Sequence, residues 1–359
     1  MVEYLAGGRI QGISALSSPP PATSWKEIGR TTLGSTNSNI TVSSFTAKDN
    51  IMVLHSDLGR NADSSSNEIR FNSDTGSNYS SRSSSAGASD NTYTSDTGIV
   101  FQRTAGDTNQ FSVTYVNNTA NKEKLSISHS VQQRPTGAGN VPHRSEAVGK
   151  WANTSDSITS WTSYTGSSDT WNAGSEVVVL GCDHDEADSG TSVWEELASV
   201  DLSGGTGNSL SSGTISAKKY LWVQAYLEQS GSGDTGNICR FNSDSGSNYT
   251  VRYSENGGSD TTSTSRSNIV TGANSGTDGA GEGFFINMFI INKSDKEKLI
   301  IGKLVDTDAG GGAGTAPGRS EFVGKWDNTS DSITNITWTN SGGSATWATT
   351  SYLKVWGFD

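Results

Sequence analysis

Acidic side chains cluster at Asp183, Asp185, Glu186 and Asp188. Hard cations such as Ca²⁺ bind several carboxylate oxygens, so this segment is a candidate calcium site. Its spacing differs from that of an EF-hand loop, because the central glycine and the distal glutamate are missing. The alternative is a solvated linker whose charges keep the flanking domains apart, and this interpretation needs no metal ion.

The histidines and cysteines form no recognisable catalytic pattern. The chain has 4 His and 2 Cys, and it contains no HExxH, GxSxG, phosphate-loop or CxxC motif. Cys182 and Cys239 stand in apolar, strand-like segments, which favours two reduced, buried thiols over a disulfide bridge. We therefore predict a protein that is not an enzyme and that has no catalytic residue and no cofactor.

The overall charge argues against two classes of partner. The formal net charge is −12, and no cluster of Lys and Arg is present to neutralise phosphates, so we expect no direct nucleic-acid binding. No apolar stretch is long enough to span a bilayer, so we expect no membrane insertion. The first residues lack the basic start and apolar core of a signal peptide, which predicts assembly in a cytoplasm.

Self-comparison shows that the chain contains an internal repeat. The segment RFNSDTGSNY at 70–79 returns as RFNSDSGSNY at 240–249, and RSEAVGKWANTSDSIT at 144–159 returns as RSEFVGKWDNTSDSIT at 319–334. The matches keep the same order along the chain. We predict two homologous units, at 24–183 and 193–359, joined by an acidic linker at 184–192.

The repeated units have the pattern of β-structure. Apolar residues alternate with a period of two in strand-length segments, and Gly-, Asn- and Asp-rich turns separate them. About eight to ten strands per unit would give an all-β fold of two tandem β-sandwiches, most plausibly jelly-roll-like. No long amphipathic helical pattern competes with this interpretation.

An arm at residues 1–23 precedes the first unit and has no copy before the second. It contains a stiff run of three prolines and an apolar part. One interpretation is a disordered leader, since chain ends often fray. The other is an extended assembly arm that binds a neighbouring subunit through its apolar side chains, namely Val2, Tyr4, Leu5, Ile10 and Ile13.

The tryptophans divide into two groups. Three pairs occur in both units and are interpreted as framework: Trp25 with Trp194, Trp151 with Trp326, and Trp171 with Trp347. Others have no tryptophan partner, and Trp338 stands opposite Ser163. Because sugar rings stack on aromatic faces, an exposed Trp338 is our candidate for a glycan-binding or subunit contact.

The repeated RFNSD–GSNY and GKW–NTSDSIT segments resemble repeats in structural proteins of tailed and other viruses of bacteria and archaea. That resemblance implies a capsid, fibre or tail component, located in the virion and exposed on the particle surface. Its expected partners are other copies of the chain and other particle proteins, with a host glycan as a further possibility. The alternatives are a carbohydrate-binding, host-recognition module and a cell-surface filament or S-layer subunit.

Overall fold

The structure is a computed structural model that describes residues 2–5, 9–12, 25–60, 66–103, 108–166, 169–183, 192–231, 236–271, 280–307, 313, 315–342 and 345–359. All the regular elements in these residues are β-strands, and the sheets are antiparallel. The prediction of an all-β fold with two β-sandwiches is confirmed.

The first residues form a separate hairpin. Strand β1 (Val2–Leu5) pairs antiparallel with strand β2 (Arg9–Gly12), and Val2 is opposite Gly12. Of the predicted assembly residues, Val2, Tyr4 and Leu5 lie in β1 and Ile10 lies in β2, whereas Ile13 lies outside the described residues. The role of the arm in assembly stays a prediction.

The first sandwich contains twelve strands in the described residues, more than the eight to ten expected, because several are short edge strands. Eight of them form one sheet in the order β3-β14-β5-β10-β11-β12-β7-β8, and four form the other in the order β4-β13-β6-β9. Their bounds are β3 Lys26–Thr32, β4 Asn39–Val42, β5 Asn50–Leu58, β6 Ser66–Phe71, β7 Tyr79–Ser85, β8 Asn91–Asp96, β9 Ile99–Arg103, β10 Asn109–Asn117, β11 Lys124–Gln132, β12 His143–Trp151, β13 Trp161–Thr165 and β14 Glu176–Cys182.

The second sandwich repeats this arrangement strand for strand. Its eight-stranded sheet has the order β15-β26-β17-β22-β23-β24-β19-β20, and its four-stranded sheet has the order β16-β25-β18-β21. The bounds are β15 Glu195–Asp201, β16 Ser209–Ser211, β17 Tyr220–Glu228, β18 Asn237–Phe241, β19 Tyr249–Glu255, β20 Thr261–Arg266, β21 Ile269–Val270, β22 Gly283–Ile291, β23 Lys298–Asp306, β24 Gly318–Trp326, β25 Ile336–Asn340 and β26 Tyr352–Phe358.

Each sandwich has its own core between its two sheets. Strand β5 illustrates how the sequence forms it, since Ile51 and Val53 point to the inner face and join the first core. Met52 and Leu54 point to the outer face and belong to a different apolar cluster, which joins the two units. The continuous apolar run of this strand therefore reflects a sheet that is covered on both faces.

The repeated RFNSD segment forms a turn that is held by side-chain hydrogen bonds. Asp74 accepts hydrogen bonds from the backbone N–H of Gly76 at 2.8 Å and from Trp151 Nε1 at 2.7 Å. Asp244 accepts the equivalent bonds at the same distances, from Gly246 and Trp326. The repeated aspartates are therefore turn formers, and each also fixes an indole of the core.

Cys182 and Cys239 are not joined by a disulfide bridge. Cys239 is fully buried in the second core, and burial raises the pKa of its thiol well above the usual value. Cys182 ends β14 and is only half-buried. Cys239 is therefore not a candidate nucleophile, since reactive cysteines need a depressed pKa and access to solvent.

Candidate functional site

The structure describes one member of the predicted acidic cluster. Asp183 accepts hydrogen bonds from Lys48 Nζ at 2.8 Å and from the backbone N–H of Asp49 at 3.1 Å. Asp185, Glu186 and Asp188 lie outside the described residues. Among the residues that are described, no group of three or more His, Cys, Asp or Glu side chains is placed to hold a metal ion. The same residues include no helix that could serve as a membrane span.

The prediction that Trp338 is exposed is wrong. Its side chain is fully buried in the second core, on a strand flanked by β16 and β18. The physical reason is that positions i and i+2 of a strand share a face, so an indole two residues earlier can fill the same space. The first unit places Trp161 and Ser163 at the positions where the second places Ile336 and Trp338. This strand thus contributes one indole to each core, from different positions.

The paired tryptophans are framework, with one exception. Trp151, Trp326, Trp171, Trp347 and Trp194 are all buried, whereas Trp25 is only half-buried. Burial of these indoles and of Trp338 leaves the predicted glycan contact without its aromatic platform. The large apolar side chains that are exposed lie instead on the two eight-stranded sheets.

The two sandwiches pack against each other through the outer faces of these sheets. A continuous apolar cluster joins the units, and Phe111 of the first lies with its ring centroid 6.2 Å from that of Tyr220 of the second. Within the second unit's part of this cluster, Trp194 packs edge-on against Phe358, and the two ring centroids are 4.7 Å apart. The molecule is therefore four layers deep, with the two large sheets in the middle.

Polar contacts border this apolar cluster. Glu176 of the first unit accepts hydrogen bonds from Lys219 Nζ at 2.6 Å and from the Tyr220 hydroxyl at 2.8 Å. Burial alone would raise the pKa of Glu176, but the hydrogen bonds from Lys219 and Thr32 lower it below its usual value. Glu176 is therefore held as a carboxylate that anchors the second unit.

A loop of the first unit, residues 133–142, inserts into the second. The backbone N–H of Ala138 donates to Asp327 Oδ2 at 2.9 Å, and its carbonyl accepts from the N–H of Ser265 at 2.8 Å. Lys325 Nζ donates to the carbonyl of Pro135 at 2.9 Å and forms a buried ion pair with Glu297 at 3.3 Å. Backbone groups of the loop are thus satisfied by side chains of the other unit.

An arginine at the end of this loop completes the contact. Arg144 is buried and donates to Asp260 at 2.6 Å, and Asp260 also pairs with Arg252 at 3.3 Å. Arg319 stands at the equivalent position of the second unit, where its side chain is 59% exposed and lies 3.5 Å from Glu321. The repeated RSE segment therefore forms an interface in one unit and lies at the surface in the other.

The two units contribute different halves of the same sheet face. The half that we call the groove half contains Phe289, Leu299, Ile301 and Val323 in the second unit, where all four are buried. The first unit has Tyr115, Leu125, Ile127 and Val148 at these strand positions. There the side chains are exposed to 37%, 57%, 57% and 49%.

The opposite half, which we call the loop half, shows the reverse distribution. In the first unit it contains Phe111, Val131 and Glu176, which are buried, together with the loop 133–142. The second unit has Phe285, Val305 and Tyr352 at those strand positions, and they are 37%, 41% and 37% exposed. Each unit thus has one covered half and one open half.

The open groove half of the first unit surrounds a cavity of about 490 Å³. Its apolar lining comes from Leu125, Ile127 and Val148, and its rim includes Arg82 and Lys150. Lys150 pairs with Glu123 at 3.3 Å and Arg82 pairs with Asp90 at 3.3 Å, all of them exposed. Sequence reasoning missed this site, and the signal that points to it is the set of apolar outer positions that both units share, which marks the face without showing which copy is open.

Comparison with known proteins adds little to this geometry. Domains LG4-5 of the mouse laminin alpha1 chain are similar at 12% identity over 95% of this chain and 92% of that chain, with a TM-score of 0.17. Human GIVD cytosolic phospholipase A2, in complex with methyl gamma-linolenyl fluorophosphonate, is similar at 7% identity over 78% of this chain and 33% of that chain, with a TM-score of 0.13. No protein-family model and no curated protein matches the chain.

Proposed function

We propose that this chain is a non-enzymatic structural protein of a virus particle, a capsid or a tail or fibre component, that assembles through its sandwich faces and its N-terminal arm. The observation that carries the assembly part is the open groove half with Tyr115, Leu125, Ile127 and Val148. Contiguous exposed apolar residues around a cavity are unusual on a monomeric protein and mark interaction sites. The particle part rests on the resemblance of the repeated segments.

The composition of the surface supports a protein–protein role for this patch. The chain carries a net charge of −12 and only 31% hydrophobic residues, so apolar side chains on its surface are few. A groove half that exposes four of them on three adjacent strands carries an energetic cost unless a partner covers it. The equivalent half of the second unit is covered by protein, which supports a protein partner here as well.

A glycan-binding role has no comparable support. Its candidate residue, Trp338, is buried, and the exposed side chains of the groove half are aliphatic apart from Tyr115. Sugar rings are recognised by aromatic faces with nearby polar groups, whereas aliphatic side chains favour burial against protein. We therefore place the glycan function second and make no residue assignment for it.

The test combines electron microscopy of native particles with sedimentation of the purified chain. We expect the chain in a shell, tail or fibre, and we expect its sedimentation coefficient to rise with concentration. A chain that stays monomeric at high concentration and is absent from particles contradicts the proposal. A purified particle that contains the chain supports it even where the isolated chain assembles slowly.

A further inference from the structure

From the unequal use of the two sheet faces, we infer that the groove half of the first unit binds the loop half of the second unit of another copy of this chain. The inference rests on the proposed self-assembly and names the partner and the register of the contact. It is drawn from a contact that the molecule already makes once internally, between the loop half of its first unit and the groove half of its second.

One part of the apolar surface of that internal contact is present a second time. Leu299, Ile301 and Val323 are buried where the first unit presents Leu125, Ile127 and Val148, which are the same residue types at the same strand positions. On the opposite side, Phe285 and Val305 are exposed where Phe111 and Val131 are buried. The open surfaces therefore repeat this part of both sides of the internal interface, whereas Leu54, Val113 and Val178 of that interface correspond to the polar Gln224, Asn287 and Lys354.

The charged part is repeated in the same way. Lys325 and Glu297 form a fully buried pair under the inserted loop, and Lys150 and Glu123 form an exposed pair at the equivalent positions. Both pairs have the same separation of 3.3 Å. The first unit thus already holds the ion pair that would lie under an inserted loop.

A second ion pair gives the contact its direction. In the internal contact, Arg144 reaches the Asp260 that is paired with Arg252. The open surfaces offer Arg319 on the second unit and an Asp90 paired with Arg82 on the first, all exposed. Arg319 of one molecule and Asp90 of the next are therefore the complementary charges of the inferred contact.

The sequence of the inserted loop also occurs in both units. The first unit reads Gly137-Ala138-Gly139 followed by Pro142 and Arg144. The second reads Gly312-Ala313-Gly314 followed by Pro317 and Arg319, with the same spacing. In the first unit this segment is bound by Lys325 and Asp327 of the second. The cavity beside Leu125, Ile127 and Lys150 is the corresponding surface of the first unit, with Lys150 in the place of Lys325 and Ala152 in the place of Asp327.

Such a contact is heterologous, because it joins different surfaces of its two partners. Repetition of a heterologous contact gives a closed ring or an open filament, whereas a twofold contact stops at a dimer. The first unit of each molecule would bind the second unit of the molecule behind it. The expected product is a chain of stacked sandwiches in which groove halves and loop halves alternate.

The first experiment reverses the charges of the directional pair. Asp90→Arg and Arg319→Asp should each raise the concentration needed for half-maximal assembly by about tenfold or more, since each places like charges together. Both substitutions in one chain should restore assembly, because the pair is then re-formed between molecules. Thr41→Arg is the control, since it places an arginine on the outer face of the small sheet, away from the inferred contact.

The second experiment mixes two blocked chains. Val148→Arg closes the groove half and Val305→Arg closes the loop half, and both positions are exposed, so thermal midpoints should be unchanged. Each variant alone should sediment as a monomer. An equimolar mixture should form dimers and grow no further, because the open loop half of one fits the open groove half of the other.

Three outcomes overturn the inference. Assembly of the Val148→Arg chain at the wild-type concentration shows that the groove half is not the contact. Dimers of the Val305→Arg chain alone, whose groove half is open, indicate a twofold contact between groove halves. Loss of assembly on removal of residues 1–23, with Val148→Arg unaffected, assigns the contact to the arm. These results leave the proposed function standing, whereas absence of the chain from particles contradicts that function independently.

Discussion

Val148 and Val323 occupy the same position of the same strand in two copies of one fold, yet their surroundings differ completely. Val148 is 49% exposed on the first unit, and Val323 is fully buried under the other sandwich. The arginines at another pair of equivalent positions differ the other way, since Arg144 of the first unit is buried and Arg319 of the second is exposed. The comparison teaches that the local sequence sets which face a side chain points to, while the stacking of the sheets sets whether that face is covered.

The largest expected change in stability comes from breaking one of the two equivalent ion pairs. Glu297→Ala should destabilise the chain by about 3–5 kcal/mol, because it leaves the buried Lys325 ammonium without its carboxylate. Glu123→Ala removes the exposed counterpart and should cost about 0–1 kcal/mol. Urea unfolding of both variants at concentrations where the chain is monomeric measures the difference. Equal costs would show that the two pairs have the same surroundings in solution.

An apolar substitution sharpens the same contrast without charge. Ile301→Ala should cost about 2–4 kcal/mol, since it opens a cavity between the stacked sheets. Ile127→Ala, at the equivalent exposed position, should stay within about 0.5 kcal/mol for the monomer. Thermal unfolding of the two variants at low concentration gives both values. A large loss for the Ile127 variant under these conditions would mean that its side chain is already covered.

Acid should weaken the first unit more than the second. Burial lowers the pKa of His55 and of His143 to about 3, helped by Arg60 and by Arg134 respectively. Burial, with Lys303 and Arg144 nearby, also lowers the pKa of His129 well below its usual value. The second unit contains no histidine.

The direction of the pH effect follows from these shifts. Below about pH 6.5 the histidines of the unfolded chain bind protons, whereas the buried histidines of the folded chain stay neutral. The stability that these histidines contribute is therefore present above this pH and is lost as the pH falls. Asp57, whose pKa burial raises to about 7, acts in the opposite direction and offsets part of the loss.

One substitution isolates a single histidine. His129→Gln should reduce the loss of stability between pH 7 and pH 5 by about 2 kcal/mol, the value for one site over that interval. Urea unfolding at each pH measures it, and hydrogen-exchange labelling at a common pH assigns each transition to a unit. An unchanged pH dependence would show that His129 titrates normally in the folded chain.

The smallest expected difference is between the repeated turns. Asp74→Asn and Asp244→Asn should each cost about 1–2 kcal/mol, because both carboxylates accept the same indole and backbone bonds. The two costs should agree within about 0.5 kcal/mol, since neither turn lies between the units. Urea midpoints of the two variants check this, and a clear inequality would break the equivalence of the two frameworks.

Much of the fold followed from the sequence, and the reason is local. The period of two, the turn residues and the repeated RFNSD segment act within a few residues of each other, so they predicted strands, turns and duplicated sandwiches. The tryptophan pairs were assigned to the core on the same basis. Trp338 was misassigned because its position was compared with Ser163 alone, without Trp161 on the same strand face.

The sequence determined that the chain consists of two sandwiches with apolar residues on both faces of their large sheets. It could not determine which half of each outer face is covered, because Leu125 and Leu299 follow the same KEK segment and are locally indistinguishable. Only the tertiary structure decided this, by stacking one sheet on the other with an offset. That offset arises from contacts between residues distant in the sequence, such as Glu176 with Lys219, 43 positions apart, on one border and Arg144 with Asp260, 116 positions apart, on the other.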